Sequence, residues 1–161
     1  MQRAFLLVLV AAGAFVWITS DALPPVVASH FGPGGSANGF MGRGPYTVLM
    51  VAVVVAVPAL IAFSGQLVRV IPPWLINLPH RQYWLAPQRR AAALESLSSL
   101  GVPFALALVF FLCFVHWLVV RANAVQPARL PEGPLLIGLA MFGVATVLWL
   151  FVFFRRFGRV P

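Results

Sequence analysis

The sequence predicts an all-α fold: an integral membrane bundle of four transmembrane helices with an ordered outer loop and a short interfacial helix on the cytoplasmic side. Three observations predict it. The 161 residues are 61% hydrophobic and only 9% charged, where soluble domains carry about 25% charged residues. Four uncharged apolar runs reach the length a bilayer demands, about 17–25 residues. The charges that do occur flank those runs instead of lying within them.

The four runs are 4–20, 46–68, 101–120 and 134–154. The first lies at the lower length limit, and with Arg3 ahead of it resembles a secretory leader. The following TSDALPP offers no clean small-x-small cleavage site, and Trp17 suits an interfacial anchor, so the run is read as a retained span. In the second run Pro58 removes a backbone donor and predicts a kink. In the third, Pro103 falls in the first turn, where a missing donor costs nothing. The fourth carries Gly138, Ala140, Gly143 and Ala145, small residues that permit close helix approach. The whole chain is read as a single membrane domain.

Between the second and third spans, Pro87 opens a segment with three alanines and with Leu94, Leu97 and Leu100 spaced by three. This predicts an interfacial helix over 87–100, ended by Gly101 and lying on the membrane surface with Arg89 and Arg90 beside the headgroups. The proline-bounded segment 72–86 ahead of it reads as extended.

Every one of the 11 basic residues is an arginine. Arg3, Arg69, Arg81, Arg89, Arg90, Arg155, Arg156 and Arg159 fall on one side of a four-span layout, and Arg43, Arg121 and Arg129 on the other. That eight-to-three bias places both termini in the cytoplasm of a bacterial cell, in its inner membrane. Trp17 and Trp117 then mark the outer headgroup layer, with Trp74, Trp84 and Trp149 near the inner one. A basic chain also raises nucleic acid as a partner, but these arginines are not interleaved with exposed aromatics on one face, and nucleic-acid binding is excluded. The partners expected are the lipid bilayer and either an external peptide ligand or a membrane-protein partner.

The outer loop, 21–44, is the polar interruption of an apolar N-terminal half. Pro24, Pro25 and Pro33 stiffen it, Gly32, Gly34, Gly35 and Gly39 loosen it locally, and Asn38-Gly39 is the dipeptide expected to make its tight turn. Two readings are open. In one, the loop is a cap in which His30 and Asn38 satisfy backbone groups at the membrane edge. In the other, His30, Phe31, Asn38 and Arg43 form a recognition site for an external peptide or small ligand. No metal site is predicted. The nearest candidates are His30 and His116, the latter near the outer end of the third span, joined by Asp21 or Glu132, but their spacing is scattered. With three acidic residues, none within a span, and one cysteine, Cys113, the chain presents no catalytic constellation and no cofactor motif. Transport is equally unsupported, since the spans hold no charge.

Two stretches resemble a bacterial membrane family known as a domain of unknown function. Leu23-Pro24, His30-Phe31, Gly35, Asn38-Gly39 and Arg43 are similar to that family's outer-loop pattern. Asn77-Leu78-Pro79, then Tyr83-Trp84-Leu85-Ala86-Pro87 with Arg89 or Arg90, resembles its cytoplasmic segment. The same domain forms the N-terminal half of immunity proteins of the sporulation-delaying-toxin type. The resemblance covers roughly the first hundred residues. It implies a multi-pass protein that senses or sequesters an external peptide, with Asn77, Pro79, Tyr83, Trp84, Pro87, Arg89 and Arg90 as a cytoplasmic motif. Gly32 stands where the family often has Asn, and the chain lacks the second half of the immunity proteins. The competing expectation is a structural accessory subunit of a larger membrane complex.

Overall fold

The computed structural model describes residues 2–160. The chain runs through α1 (Gln2–Thr19), a hairpin of β1 (Val26–Phe31) and β2 (Ala37–Gly42), then α2 (Arg43–Ala62), α3 (Ser64–Val70), α4 (Arg81–Trp84), α5 (Pro87–Asn123) and α6 (Glu132–Phe157). Among the described residues, α1, α2, α5 and α6 are long and apolar enough to cross a membrane. The chain thus has the build of a multi-span membrane protein. The hairpin joins α1 to α2, and a short loop joins α5 to α6 at the same end of the bundle; α3 and α4 lie at the other end.

Three helices make the core. Phe5, Leu9, Ala12 and Val16 of α1 repeat at four- and three-residue intervals and share one face. They meet Val54 and Ala62 of α2 and Val102, Ala105 and Val109 of α5. Lipid tails are as apolar as leucine, so in a bilayer such an interface holds by close packing instead of by water exclusion. Gly101 shows how close: a Cβ there would lie 2.6 Å from the Ile61 carbonyl oxygen. Gly65 of α3 likewise sits against Ser98 Oγ and the Leu94 carbonyl of α5.

The fourth helix stands apart from that core and leans on α5. Phe142 stacks on Phe111 with centroids 4.7 Å apart, and Trp149 Nε1 donates to the Leu100 carbonyl at 2.8 Å. Gly138 leaves room for the Phe114 ring. The opposite face of α6 is bare apolar surface, including Met141, Val144, Val147 and Phe151.

Four expectations about the elements are corrected. The segment 72–86 is not extended throughout: it holds a tight helical turn at Pro73–Leu75 and α4 at Arg81–Trp84. The segment 87–100 does not form a separate surface helix. It is the first part of the 37-residue α5, unbroken at Gly101, with Pro103 well inside the helix. Extending a formed helix is far easier than nucleating a second one, and Ala93 and Leu94 are buried against neighbouring elements, which holds the segment upright. At about 1.5 Å per residue α5 is roughly 55 Å long, well beyond a hydrocarbon core of about 30 Å. The second apolar run, in turn, is two helices. Its break falls at Phe63 (φ −97°, ψ 10°), not at Pro58, which stays helical and buried one turn earlier. Finally, Asn38-Gly39 makes no turn. Both residues lie in β2, and the reversal uses Pro33, Gly34 and Gly35. Gly34 and Gly35 take φ of 76° and 73°, a left-handed conformation that asparagine tolerates less well than glycine.

Candidate functional site

The hairpin lies across one end of the bundle with two different faces. Val27 is fully buried and joins Leu23, Tyr46 and Val119, with Phe31 and Met41 packed against them. On the other side Val26 and Phe40 are each 62% exposed. The ladder pairs Ala28 with Phe40 and Val26 with Gly42, and its register shifts on either side of His30. Such a bulge bends the strand and re-aims its side chains.

Side chains from other elements fix the hairpin. Asn123, in the last turn of α5, takes the Ala28 N–H on Oδ1 at 2.8 Å and gives its own amide N–H to the Ala28 carbonyl at 3.0 Å and to the Val119 carbonyl at 2.9 Å. A strand edge that water cannot reach must be satisfied in some such way. Arg43 Nη1 donates to the carbonyls of Asp21 (3.3 Å) and Leu23 (3.2 Å) and ties down the base. At the tip, Arg129 Nε donates to the Gly34 carbonyl at 3.0 Å, and the Leu130 N–H donates to the Gly35 carbonyl at 2.8 Å.

Directly beneath lies a buried polar relay across three helices. His116 of α5 is wholly buried. Its Nε2 lies 2.8 Å from Thr19 Oγ1 of α1, and its Nδ1 lies 3.0 Å from the Tyr46 hydroxyl of α2. Thr19 donates its own proton to the Phe15 carbonyl at 2.6 Å. Its oxygen therefore accepts from His116 Nε2–H, which leaves Nδ1 to accept from the Tyr46 O–H. One tautomer satisfies every group. Phe15 edge-on and Tyr46 stacked at 5.8 Å enclose the imidazole.

Between the exposed hairpin face and the α5–α6 loop opens a cleft of about 580 Å³. Val26, Phe40 and Pro24 line one wall, and Gln126, Pro127 and Arg129 the other. A mostly apolar groove with one guanidinium and an amide at its edge suits a short apolar segment with a carboxylate or a carbonyl to anchor.

The four residues expected to recognise a ligand do not act as one group. His30 and Asn38 are exposed at the hairpin tip on facing strands, His30 paired with Gly39 and hydrogen-bonded to Ser29 Oγ at 3.1 Å. Phe31 packs toward the helices, and Arg43 is engaged by backbone carbonyls. None of the four lines the cleft. The two histidines do not converge on a metal position: both ring nitrogens of His116 are occupied, and among the described residues no group of three or more His, Cys, Asp or Glu side chains comes together. Residues that sequence reasoning passed over, namely Thr19, Tyr46, Asn123 and Arg129, make the contacts of the buried relay and fix the hairpin. The available signal was the gathering of the few polar groups of the spans (Thr19, Tyr46, His116, Asn123) toward one end.

At the far end the second motif is drawn together more closely. Trp84 is buried edge-on between Tyr83 and Phe157, and its Nε1 donates to the Phe157 carbonyl at 3.1 Å. The Arg89 guanidinium stands 4.0 Å above the Tyr83 ring, and Arg90 donates to the Arg69 carbonyl at 3.2 Å. Pro87 opens α5, where its missing N–H leaves no gap. Asn77 and Tyr83 line a surface cavity of about 670 Å³ with His80 and Arg81, while Pro79 is half-buried beside it. The motif thus fastens the end of α6 to the start of α5. Compared with protein-family models, curated proteins and solved structures, the chain matches none.

Proposed function

We propose that this chain is a multi-pass protein of the bacterial inner membrane that captures an external peptide or small apolar ligand through its hairpin, in the manner of an immunity or signalling protein. The observation that carries the reading is the cleft of about 580 Å³ beside Val26 and Phe40. Two large apolar side chains held out from a strand pair on the polar end of a bundle are costly in water unless something covers them. The clamp of Asn123 on Ala28 supports the same reading, because a groove held rigid before binding loses less entropy on capture. His30 and Asn38 at the tip extend the surface with hydrogen-bonding groups. The hairpin faces outward and both termini face the cytoplasm, as the arginine bias requires.

The test places a photo-crosslinking phenylalanine analogue at position 40 in growing cells. Capture of a secreted peptide or small molecule at this position, lost on Val26→Asp and absent when the analogue replaces Met141 on α6, is the expected result. Equal capture at both positions, or none at position 40, defeats the reading.

A second reading, a structural accessory subunit, draws on one observation: within its span α6 packs on α5, is fastened again at its end by Trp84, and leaves the outer face of that span apolar. It predicts co-purification with fixed membrane partners in mild detergent. Purification as a lone chain in the same detergent removes it.

A further inference from the structure

The last turns of α6 carry a surface unlike the rest of that helix. Val147, Leu150, Phe151 and Phe154 form a stripe at three- and four-residue spacing, and the stripe runs into Arg155 and Arg159. Together with Gly158 they line a groove of about 750 Å³. Positions four apart lie one above the other on a helix, so the apolar side chains and Arg155 share one face.

Several arginines at this end of the bundle are engaged within the fold. Arg81 donates to the Trp74 carbonyl, Arg90 donates to the Arg69 carbonyl, Arg89 covers Tyr83, and Arg156 lies 4.6 Å above the Trp84 ring. Those four are occupied within the fold. Arg155 and Arg159 are exposed and make no such contact among the described residues. A cation near the last turn stabilises a helix C-terminus, and Arg155 and Arg156 both stand there. Carboxylates are scarce as counter-charges: of the three acids in the chain, Asp21 and Glu132 lie toward the hairpin end and only Glu95 toward this one.

We propose that this groove is a binding site for one anionic phospholipid, with the headgroup phosphate held between Arg155 and Arg159 and an acyl chain laid along Phe154, Phe151 and Val147. Charge complementarity selects the occupant. A second protein chain would satisfy the apolar stripe but not the two guanidiniums beyond it, whereas a phosphodiester above a hydrocarbon tail satisfies both. The site rests on the membrane reading of the chain and is independent of the hairpin cleft.

Native mass spectrometry of the protein released from micelles doped with phosphatidylglycerol tests it. Wild-type protein retains one phosphatidylglycerol and does not retain phosphatidylcholine. Each interfacial guanidinium is worth about a fivefold change in affinity, so Arg155→Gln/Arg159→Gln weakens retention about twenty-five-fold. Phe151→Asn weakens it through the tail, and Arg3→Gln, which removes the same charge elsewhere, leaves it unchanged. Equal retention by the double variant overturns the proposal. So does retention of phosphatidylcholine at the same level, displacement by inorganic phosphate, or a dimer that forms in place of the lipid-bound chain. Carbonate extraction of wild-type membranes tests the membrane reading separately: a chain that stays in the membrane yet retains lipid equally in both forms sinks the lipid site alone.

Discussion

Asn123 closes a two-bond ring with Ala28, taking its N–H at 2.8 Å and meeting its carbonyl at 3.0 Å across 95 residues of chain. A single side-chain amide at the end of α5 does here what a third strand does in a larger sheet. It satisfies the buried edge of β1 and sets the distance between the hairpin and the bundle. Replacing it with leucine leaves a buried N–H and a buried carbonyl without partners, which costs about 1–3 kcal/mol. Asn123→Leu is expected to raise amide hydrogen exchange across β1 and β2 selectively, with the helices near their wild-type protection. Uniform loss of protection throughout the chain would contradict a local role.

The relay through His116 predicts a graded series. Tyr46→Phe removes one donor, and hydrogen bonds between helices in membranes average about 0.6 kcal/mol with a maximum near 1.7. His116→Ala removes two bonds and leaves a cavity under the hairpin, for a loss of about 2–4 kcal/mol. Thermal unfolding in one detergent ranks the variants. Because Tyr46 and Thr19 reach His116 from different helices, Thr19→Val/Tyr46→Phe measured against the single variants is expected to show coupling of about 0.5 kcal/mol or more. Strict additivity would mean that the imidazole does not join the two.

Glycines separate contact from space. A methyl group at Gly101 would meet the Ile61 carbonyl at 2.6 Å, whereas at Gly143 nothing lies within 4 Å. Gly101→Ala is expected to destabilise by about 1–3 kcal/mol through overpacking. Gly143→Ala is expected to be neutral or to stabilise by up to about 1 kcal/mol through helix propensity. Melting curves that shift the two variants in the same direction would refute the α2–α5 approach described here.

The end-fastening tryptophan makes a further prediction. Trp84 Nε1 holds the Phe157 carbonyl, and its ring carries both Phe157 and Arg156. Trp84→Leu is expected to free the end of α6, seen as faster proteolysis after Arg155 or Arg156 with α1 and α2 unaffected. Unchanged proteolysis would show that α6 is held by its contacts with α5 alone.

A topology test closes the set. On the proposed membrane reading, in which all four apolar helices cross, reporters fused before residue 2 and after residue 160 are expected to read the same compartment, and one inserted at Ser36 the opposite one. Reporters at the two ends that disagree would remove the orientation on which the ligand reading rests.

The sequence by itself determined that four apolar helices exist, where their centres lie and which ends carry the arginines. Those properties follow from composition over about twenty neighbouring residues, and neighbouring residues are what a linear reading compares. It also marked the loop after α1 and the Tyr83–Arg90 motif as unusual. Only the tertiary structure decided what these parts are. The turn went to Gly34-Gly35 instead of Asn38-Gly39 because the reversal needed two successive residues at positive φ, with the tip close against Arg129 and Leu130. The helix at 87–100 ran on through Gly101 because α2 packs there, and a residue without a side chain is what lets Ile61 approach. Thr19, Tyr46, His116 and Asn123 became a site because three helices and a hairpin bring together positions up to 97 residues apart. No local pattern encodes such a meeting. It arises when buried polar groups, cut off from water, can be satisfied only by one another.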